Sequence, residues 1–126
     1  HIAMSLNNIG LVYDSKGDYN KALEYYEKSY EICKKVYADN LNHPHIASSL
    51  NNIGSVYDEK GDYNRALEYY EMSYQIREKL YDDNPNHADI ATSLNNIGLV
   101  YNKKGDHNKA LDFFERSFKI RKKIYN

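Results

Sequence analysis

The strongest constraint on how this chain folds is a six-residue sequence that it contains three times. Residues 5–10, 49–54 and 93–98 all read Ser-Leu-Asn-Asn-Ile-Gly, so successive copies begin 44 residues apart. A fixed period of roughly 20 to 50 residues is typical of a stacked repeat array, in which about three units are needed before stacking buries a continuous core. We therefore predict one array with units at 1–44, 45–88 and 89–126, the last cut short.

Each unit is predicted to contain two helices separated by a glycine. In the first unit the apolar residues are spaced three or four apart, as on one face of a helix, at Leu6, Ile9, Val12 and Tyr13. Gly17 can adopt the left-handed conformation that ends this helix, and Asp18 can cap the next one. The second helix carries an inner stripe at Ala22, Leu23, Tyr26, Ser29, Tyr30, Cys33 and Tyr37.

The connectors between units are short. Residues 38–44 and 82–88 are rich in Asn, Asp and Pro, which are loop and helix-start residues. Short connectors make neighbouring helices antiparallel. The predicted fold class is all-α, a right-handed solenoid of three antiparallel helix-turn-helix repeats.

Composition excludes several classes of function. The formal charge of −1 provides no long-range field to attract nucleic acid or a membrane surface. No apolar run approaches the roughly 20 residues that span a bilayer. The single Cys33 excludes a disulfide framework and favours a reducing, cytoplasmic location. Because the chain opens with His1 at a repeat boundary, we expect it to be a piece of a longer repeat protein.

Small, aromatic and other apolar residues follow one another in a fixed order within a unit. In the second copy they are Ile53, Gly54, Tyr57, Gly61, Tyr63, Ala66, Tyr70 and Ser73. This pattern resembles a tetratricopeptide repeat. The sequences at 43–47, 50–54 and 75–80 resemble the long repeats of kinesin light chains and nephrocystin-3-like proteins. The resemblance implies a non-catalytic scaffold for protein–protein interaction, without a cofactor.

The repeated glycine lies inside a predicted helix, where Gly costs about 1 kcal/mol relative to Ala. We predict that it marks a close crossing with the second helix of the same unit. In the central unit Gly54 would then face Ala66 or Tyr70.

The resemblance also implies that the first helix of each unit lines a concave groove. The candidate peptide-binding residues are Asn7, Asn8, Leu11, Asp14, Asn51, Asn52, Ser55, Asp58, Asn95, Asn96, Leu99 and Asn102. An amide offers both donors and an acceptor, so a row of Asn side chains can grip a peptide backbone. Alternatively, one Asn of each pair hydrogen-bonds the adjacent repeat. Asp14 and Asp58 are expected to favour ligands that carry Lys or Arg.

Other roles are less well supported by the sequence. No set of nucleophile, base and orienting group can be assembled, so catalysis is not expected. The His43-Pro44-His45 sequence is interpreted as a helix start and not as a metal site, because no Cys accompanies it and the next copy does not keep it. Acidic groove residues argue against single-stranded RNA binding.

The main alternative to peptide binding is a structural array that associates end to end. Repeat arrays normally finish with a polar capping unit, and none is recognisable here. We expect apolar residues of the last helix to face the place of a fourth unit, and they are drawn from Phe113, Phe118, Ile120 and Ile124.

Overall fold

A computed structural model describes residues 2–125, and in that range it contains six α-helices and no strand. The helices are α1 (Ile2–Ser15), α2 (Tyr19–Val36), α3 (Pro44–Lys60), α4 (Tyr63–Leu80), α5 (Ala88–Lys103) and α6 (His107–Ile124). Successive helices pair as three hairpins, and the second helix of one hairpin packs against the first helix of the next. The predicted all-α repeat solenoid is confirmed.

The turn inside each hairpin is set by the Gly-Asp pair. Gly17, Gly61 and Gly105 have φ angles of 79°, 82° and 88°, in the left-handed region that a side chain rarely tolerates. The aspartate that follows is the N-cap of the next helix, and in α2 Asp18 Oδ1 accepts from Lys21 N at 3.3 Å. Both predicted roles are confirmed.

The connectors between hairpins end in a histidine cap. His43 Nδ1 accepts from His45 N at 3.1 Å, and His87 Nδ1 accepts from Asp89 N at 3.0 Å. Each capping ring also stacks on a tyrosine at the end of the preceding helix, with centroids 3.5 Å apart for His43 and 3.6 Å apart for His87. The histidines therefore start helices, as predicted.

Within a hairpin the two helices cross closely at the repeated glycine. A Cβ built on Gly54 would lie 2.9 Å from Tyr70 Cδ1 and 3.3 Å from the Ala66 carbonyl oxygen. Gly10 and Gly98 show the same approach to Tyr26 and Phe114. The predicted crossing is confirmed.

The core runs between hairpins and is uncovered at both ends of the described range. Val56 and Val100 are fully buried, whereas Val12 at the equivalent place in α1 is 58% exposed. Leu23 and Leu67 are each 7% exposed, whereas Leu111 in α6 is 57% exposed. Residues 2–125 supply no helix to cover either of these two faces.

Part of the apolar set predicted for the last helix is exposed. Phe118 is exposed as expected, but Phe113 is half-buried and stacks on Tyr101 with centroids 5.6 Å apart. Phe113 occupies the place at which Tyr25 and Tyr69 stack in the earlier hairpins. Leu111, which was not in the predicted set, is also exposed.

Candidate functional site

The side chains of α1, α3 and α5 form one surface, which we call the first-helix face. Asn96 Nδ2 donates to Asn51 Oδ1 at 3.2 Å, and Lys103 Nζ donates to Asp58 Oδ1 at 2.9 Å. Both bonds join α3 to α5, and both join residues separated by 45 positions. A residue of one first helix thus lies beside the residue 45 positions later, and we call each such pair a rung.

The amide rungs differ between the two junctions. The rung between Asn51 and Asn96 is closed by its hydrogen bond. At the preceding junction the pair would be Asn7 and Asn52, but Asn7 Oδ1 is buried and no group within residues 2–125 donates to it. The structural role proposed for one Asn of each pair therefore holds at the second junction, and the first junction keeps an unused acceptor.

The remaining amides are accessible to different degrees. Asn8 is exposed, while Asn52 and Asn95 are half-buried. At the end of α5, Asn102 Oδ1 lies 2.8 Å from His107 Nδ1. Leu11 and Leu99 are exposed beside these amides, and Ser55 is half-buried. The face is polar, with an exposed leucine in α1 and another in α5.

The carboxylate rungs also differ. The Asp58 side chain is only 13% exposed and forms its ion pair with Lys103. Asp58 is therefore already paired within the chain, and its expected preference for ligands that carry Lys or Arg stays a prediction. The equivalent rung at the first junction joins Asp14 to Glu59, where a second acid stands in the place of the lysine.

The two carboxyl groups of this rung share one environment. Burial, the hydrogen bond with Asp14 and the charge of Asp14 together raise the pKa of Glu59 to about 7. Ser55 Oγ donates to Glu59 Oε1 at 3.5 Å, while Asp14 Oδ1 is buried without a donor in the described part of the chain. Glu59 therefore holds a proton near neutral pH, because burial and a neighbouring carboxylate both disfavour its charged form.

A small cavity opens next to Asn7 at the same junction. Its volume is ≈ 140 Å³, and its lining is Ala3, Met4, Asn7, Ser29, Cys33, His45, Ser48 and Ser49. One repeat later the place of Cys33 is taken by Arg77, which is 8% exposed and donates from Nη1 to Ser93 Oγ at 2.8 Å. The sequence showed the exchange of Cys for Arg at this position but not that the arginine is buried.

Larger grooves run along the second helices. One of ≈ 780 Å³ has Tyr30, Ile32 and Tyr69 in its lining, and one of ≈ 720 Å³ is bordered by Tyr74 and Arg116. In the range 2–125, no three His, Cys, Asp or Glu side chains are arranged to hold a metal ion. None of the described helices has both the length and the hydrophobicity needed to cross a membrane.

Comparison with known families decides the class of repeat. Residues 1–79 and 80–123 match the sequence profile described as the tetratricopeptide repeat. The chain belongs to the tetratricopeptide repeat family. Such repeats generally mediate protein–protein interaction, and the scaffolds that they form are generally non-catalytic. No curated protein sequence matches this tetratricopeptide repeat chain significantly.

Solved structures with a similar fold include proteins with kinesin light chain-like repeats. BtubC (BKLC) from P. vanneervenii is 27% identical with a TM-score of 0.89, over 98% of this chain and 48% of that one. A putative kinesin light chain from Podosopora anserina, with nearly identical TPR-like repeats, is 22% identical with a TM-score of 0.81, over 98% of this chain and 58% of that one. The resemblance to kinesin light chain repeats is confirmed for the fold, and the chain spans about half the length of these relatives.

Proposed function

We propose that this array is a scaffold whose first-helix face forms a groove that binds an extended segment of another protein. The asparagine side chains of α1, α3 and α5 would contact the backbone of that segment. Recognition through the backbone tolerates many side chains, because an amide pairs equally well with the N–H and C=O groups of any residue.

The observation that carries this proposal is the buried Oδ1 atom of Asn7, which has no donor within residues 2–125. Leaving a buried acceptor unsatisfied costs roughly 1–3 kcal/mol. A backbone N–H of a bound segment would satisfy it. Asn52 and Asn95 are half-buried on the same face, and neither side chain forms a hydrogen bond in the described structure, so both can also serve as contacts.

The test is a selection of random 12-residue peptides displayed on phage, followed by calorimetric measurement of the selected sequences. We expect each of Asn7→Ala, Asn52→Ala and Asn95→Ala to weaken binding by about 0.5–1.5 kcal/mol, the value of a neutral hydrogen bond. The matched control is Asn108→Ala, because Asn108 is exposed on α6, away from the first-helix face. Equal binding by all four variants would show that the three amides do not contact the peptide.

The uncovered apolar ends favour a second candidate, a structural array that associates with copies of itself. Val12 and Leu111 are exposed at opposite ends of the described range, although their counterparts in the other hairpins are buried. Such an array would set the spacing between bound partners instead of reading a peptide.

A further inference from the structure

The two carboxylate rungs of the first-helix face occupy equivalent positions but contain different partners. Asp14 corresponds to Asp58 one repeat later, and Glu59 corresponds to Lys103. In the second rung the ammonium group of Lys103 lies 2.9 Å and 3.1 Å from the two oxygens of Asp58. The backbone position that delivers a cation to one aspartate therefore delivers a second acid to the other.

No lysine near the first rung takes over the missing role. Lys60, which follows Glu59, donates from Nζ to Asn20 Oδ1 at 3.2 Å. Lys16, at the end of the first hairpin's opening helix, lies over the Tyr13 ring with Nζ 5.7 Å from its centroid. Asp14 Oδ1 remains buried and without a donor in the described range. The first rung thus has the acceptors of an ammonium site without the ammonium group.

We propose that Asp14 and Glu59 bind the side chain of a lysine or arginine in the segment that occupies the first-helix face. The ligand's cationic group would take the place that Lys103 Nζ holds in the second rung. This inference rests on the proposed function, because it names the side-chain chemistry that a backbone-binding groove would select. It assigns the selectivity to one junction only, since Asp58 is already paired.

Binding of a cation at this rung should depend on pH. The pKa of Glu59 is about 7, so Glu59 acquires its negative charge between about pH 6 and 8. A cation favours the ionised pair, so its affinity should rise across this range. The groups that face the rung are Asp58, which is paired with Lys103, and Tyr26 and Tyr70, whose pKa values are raised by burial to about 12. The two tyrosines should not change charge between pH 6 and 8.

The experiment uses two probes and observes the carboxyl carbons by NMR in protein labelled with ¹³C at Asp and Glu. The first probe is n-butylammonium, which presents a lysine side chain without a peptide backbone. The second is a pair of seven-residue Gly-Ser peptides that carry either one Lys or one Gln at the centre. The variants are Glu59→Lys, which places the chain's own cation in the rung as Lys103 does, and Glu115→Gln, which removes an exposed acid from α6.

We expect n-butylammonium to shift the Asp14 and Glu59 resonances saturably in the parent and in Glu115→Gln, but to leave Asp14 unchanged in Glu59→Lys. The Lys peptide should bind at least about tenfold more tightly than the Gln peptide, as expected for a charged hydrogen bond, and Glu59→Lys should abolish the difference. Glu59→Gln, which keeps the shape of the side chain, should reduce it. Circular dichroism confirms that each variant is folded.

Three results would overturn the inference. They are equal affinity for the two peptides, an n-butylammonium response that survives in Glu59→Lys, and saturable shifts with Mg²⁺ but not with n-butylammonium. Failure of the proposed function gives a different pattern. In that case neither peptide shifts the amide groups of Asn7, Asn52 or Asn95, while n-butylammonium still shifts Asp14 and Glu59.

Discussion

The glycine at the helix crossing of each hairpin is required because the aromatic ring that it faces leaves no room for a side chain. Tyr70 is buried, and a methyl group on Gly54 would stand 2.9 Å from its ring. Contacts that short require the ring or the helix to move. Overpacking of this kind costs about 1–3 kcal/mol, whereas the gain in helix propensity from Gly to Ala is about 1 kcal/mol.

We therefore expect Gly54→Ala to lower the free energy of unfolding by up to about 2 kcal/mol despite the better helix former. The measurement is urea unfolding followed by circular dichroism. Ser48→Ala is the control, because Ser48 is exposed on the same helix and its replacement should change stability by less than about 0.5 kcal/mol. A Gly54→Ala protein as stable as the parent would show that the crossing is looser than the structure indicates.

Asn7 and Asn51 should differ in how much their replacement by alanine changes the stability of the fold. Asn51 accepts a hydrogen bond from Asn96, so Asn51→Ala should destabilise the fold by about 0.5–1.5 kcal/mol. Asn7 Oδ1 has no donor in the described range, so Asn7→Ala should be neutral or slightly stabilising. Both variants are compared by thermal unfolding. The reverse order of stabilities would mean that Asn7, and not Asn51, joins the repeats.

At the scale of the helices, the features that depend on one hairpin could be predicted from the sequence. The capping Asp18, the left-handed Gly17 and the crossing at Gly54 each involve neighbours in the same repeat, so the repeat period reveals them. The rungs could not be predicted in this way. They join different repeats with a separation of 45 residues, whereas the sequence repeats every 44, so equivalent residues do not meet. The partner of Asp58 is therefore Lys103 and not Asn102.

The two junctions between hairpins can be made alike by exchanging one pair of residues. Burial of Arg77 lowers its pKa, while the nearby charge of Asp89 favours its ionised form. The counterparts at the first junction are Cys33 and His45. Tyr37 OH lies 3.1 Å from His45 Nδ1, just as Tyr81 OH donates to Asp89 Oδ2 at 3.1 Å.

We expect Cys33→Arg alone to destabilise the chain, because the cavity of ≈ 140 Å³ would receive a cation without a carboxylate nearby. Adding His45→Asp should restore much of the loss. The coupling energy in a double-mutant cycle should fall in the range of about 0.5–3 kcal/mol typical of residues in contact. If the two substitutions change the free energy of unfolding additively in urea, the arginine and the aspartate do not interact at the first junction as they do at the second.

The carboxylate rung also predicts how stability varies with pH. The pKa of Glu59 is raised to about 7 in the folded chain, above its ordinary value of 4.5, so the folded state binds more protons between these values. Stability should therefore fall as pH rises from about 4.5 to 7 and level off above that range. The quantity to follow is the difference in stability between the parent and Glu59→Gln, because that difference isolates the contribution of Glu59. A difference that is constant from pH 5 to 8 would show that Glu59 ionises normally.

At the scale of the whole molecule, the two uncovered faces can pack against each other, because the same kinds of residue pack together inside the array. In the interior of the array Leu23 and Leu67 lie in the same buried cluster as Val56 and Val100. The exposed Val12 and Leu111 are the corresponding residues at the two ends. One copy can therefore place α6 against α1 of the next, as α2 and α4 pack against α3 and α5 within the chain. This contact is head-to-tail and does not close on itself in a dimer.

We expect the mass measured by sedimentation equilibrium to rise with concentration through dimers to longer species. Val12→Glu blocks one face and Leu111→Glu blocks the other, so each variant alone should remain monomeric. Each nevertheless keeps the face that the other has lost. An equimolar mixture should therefore form dimers that grow no further, because the two faces left free in such a dimer both carry the glutamate. If either variant dimerises alone, the contact joins two copies of the same face, and the array does not extend by adding repeats in register.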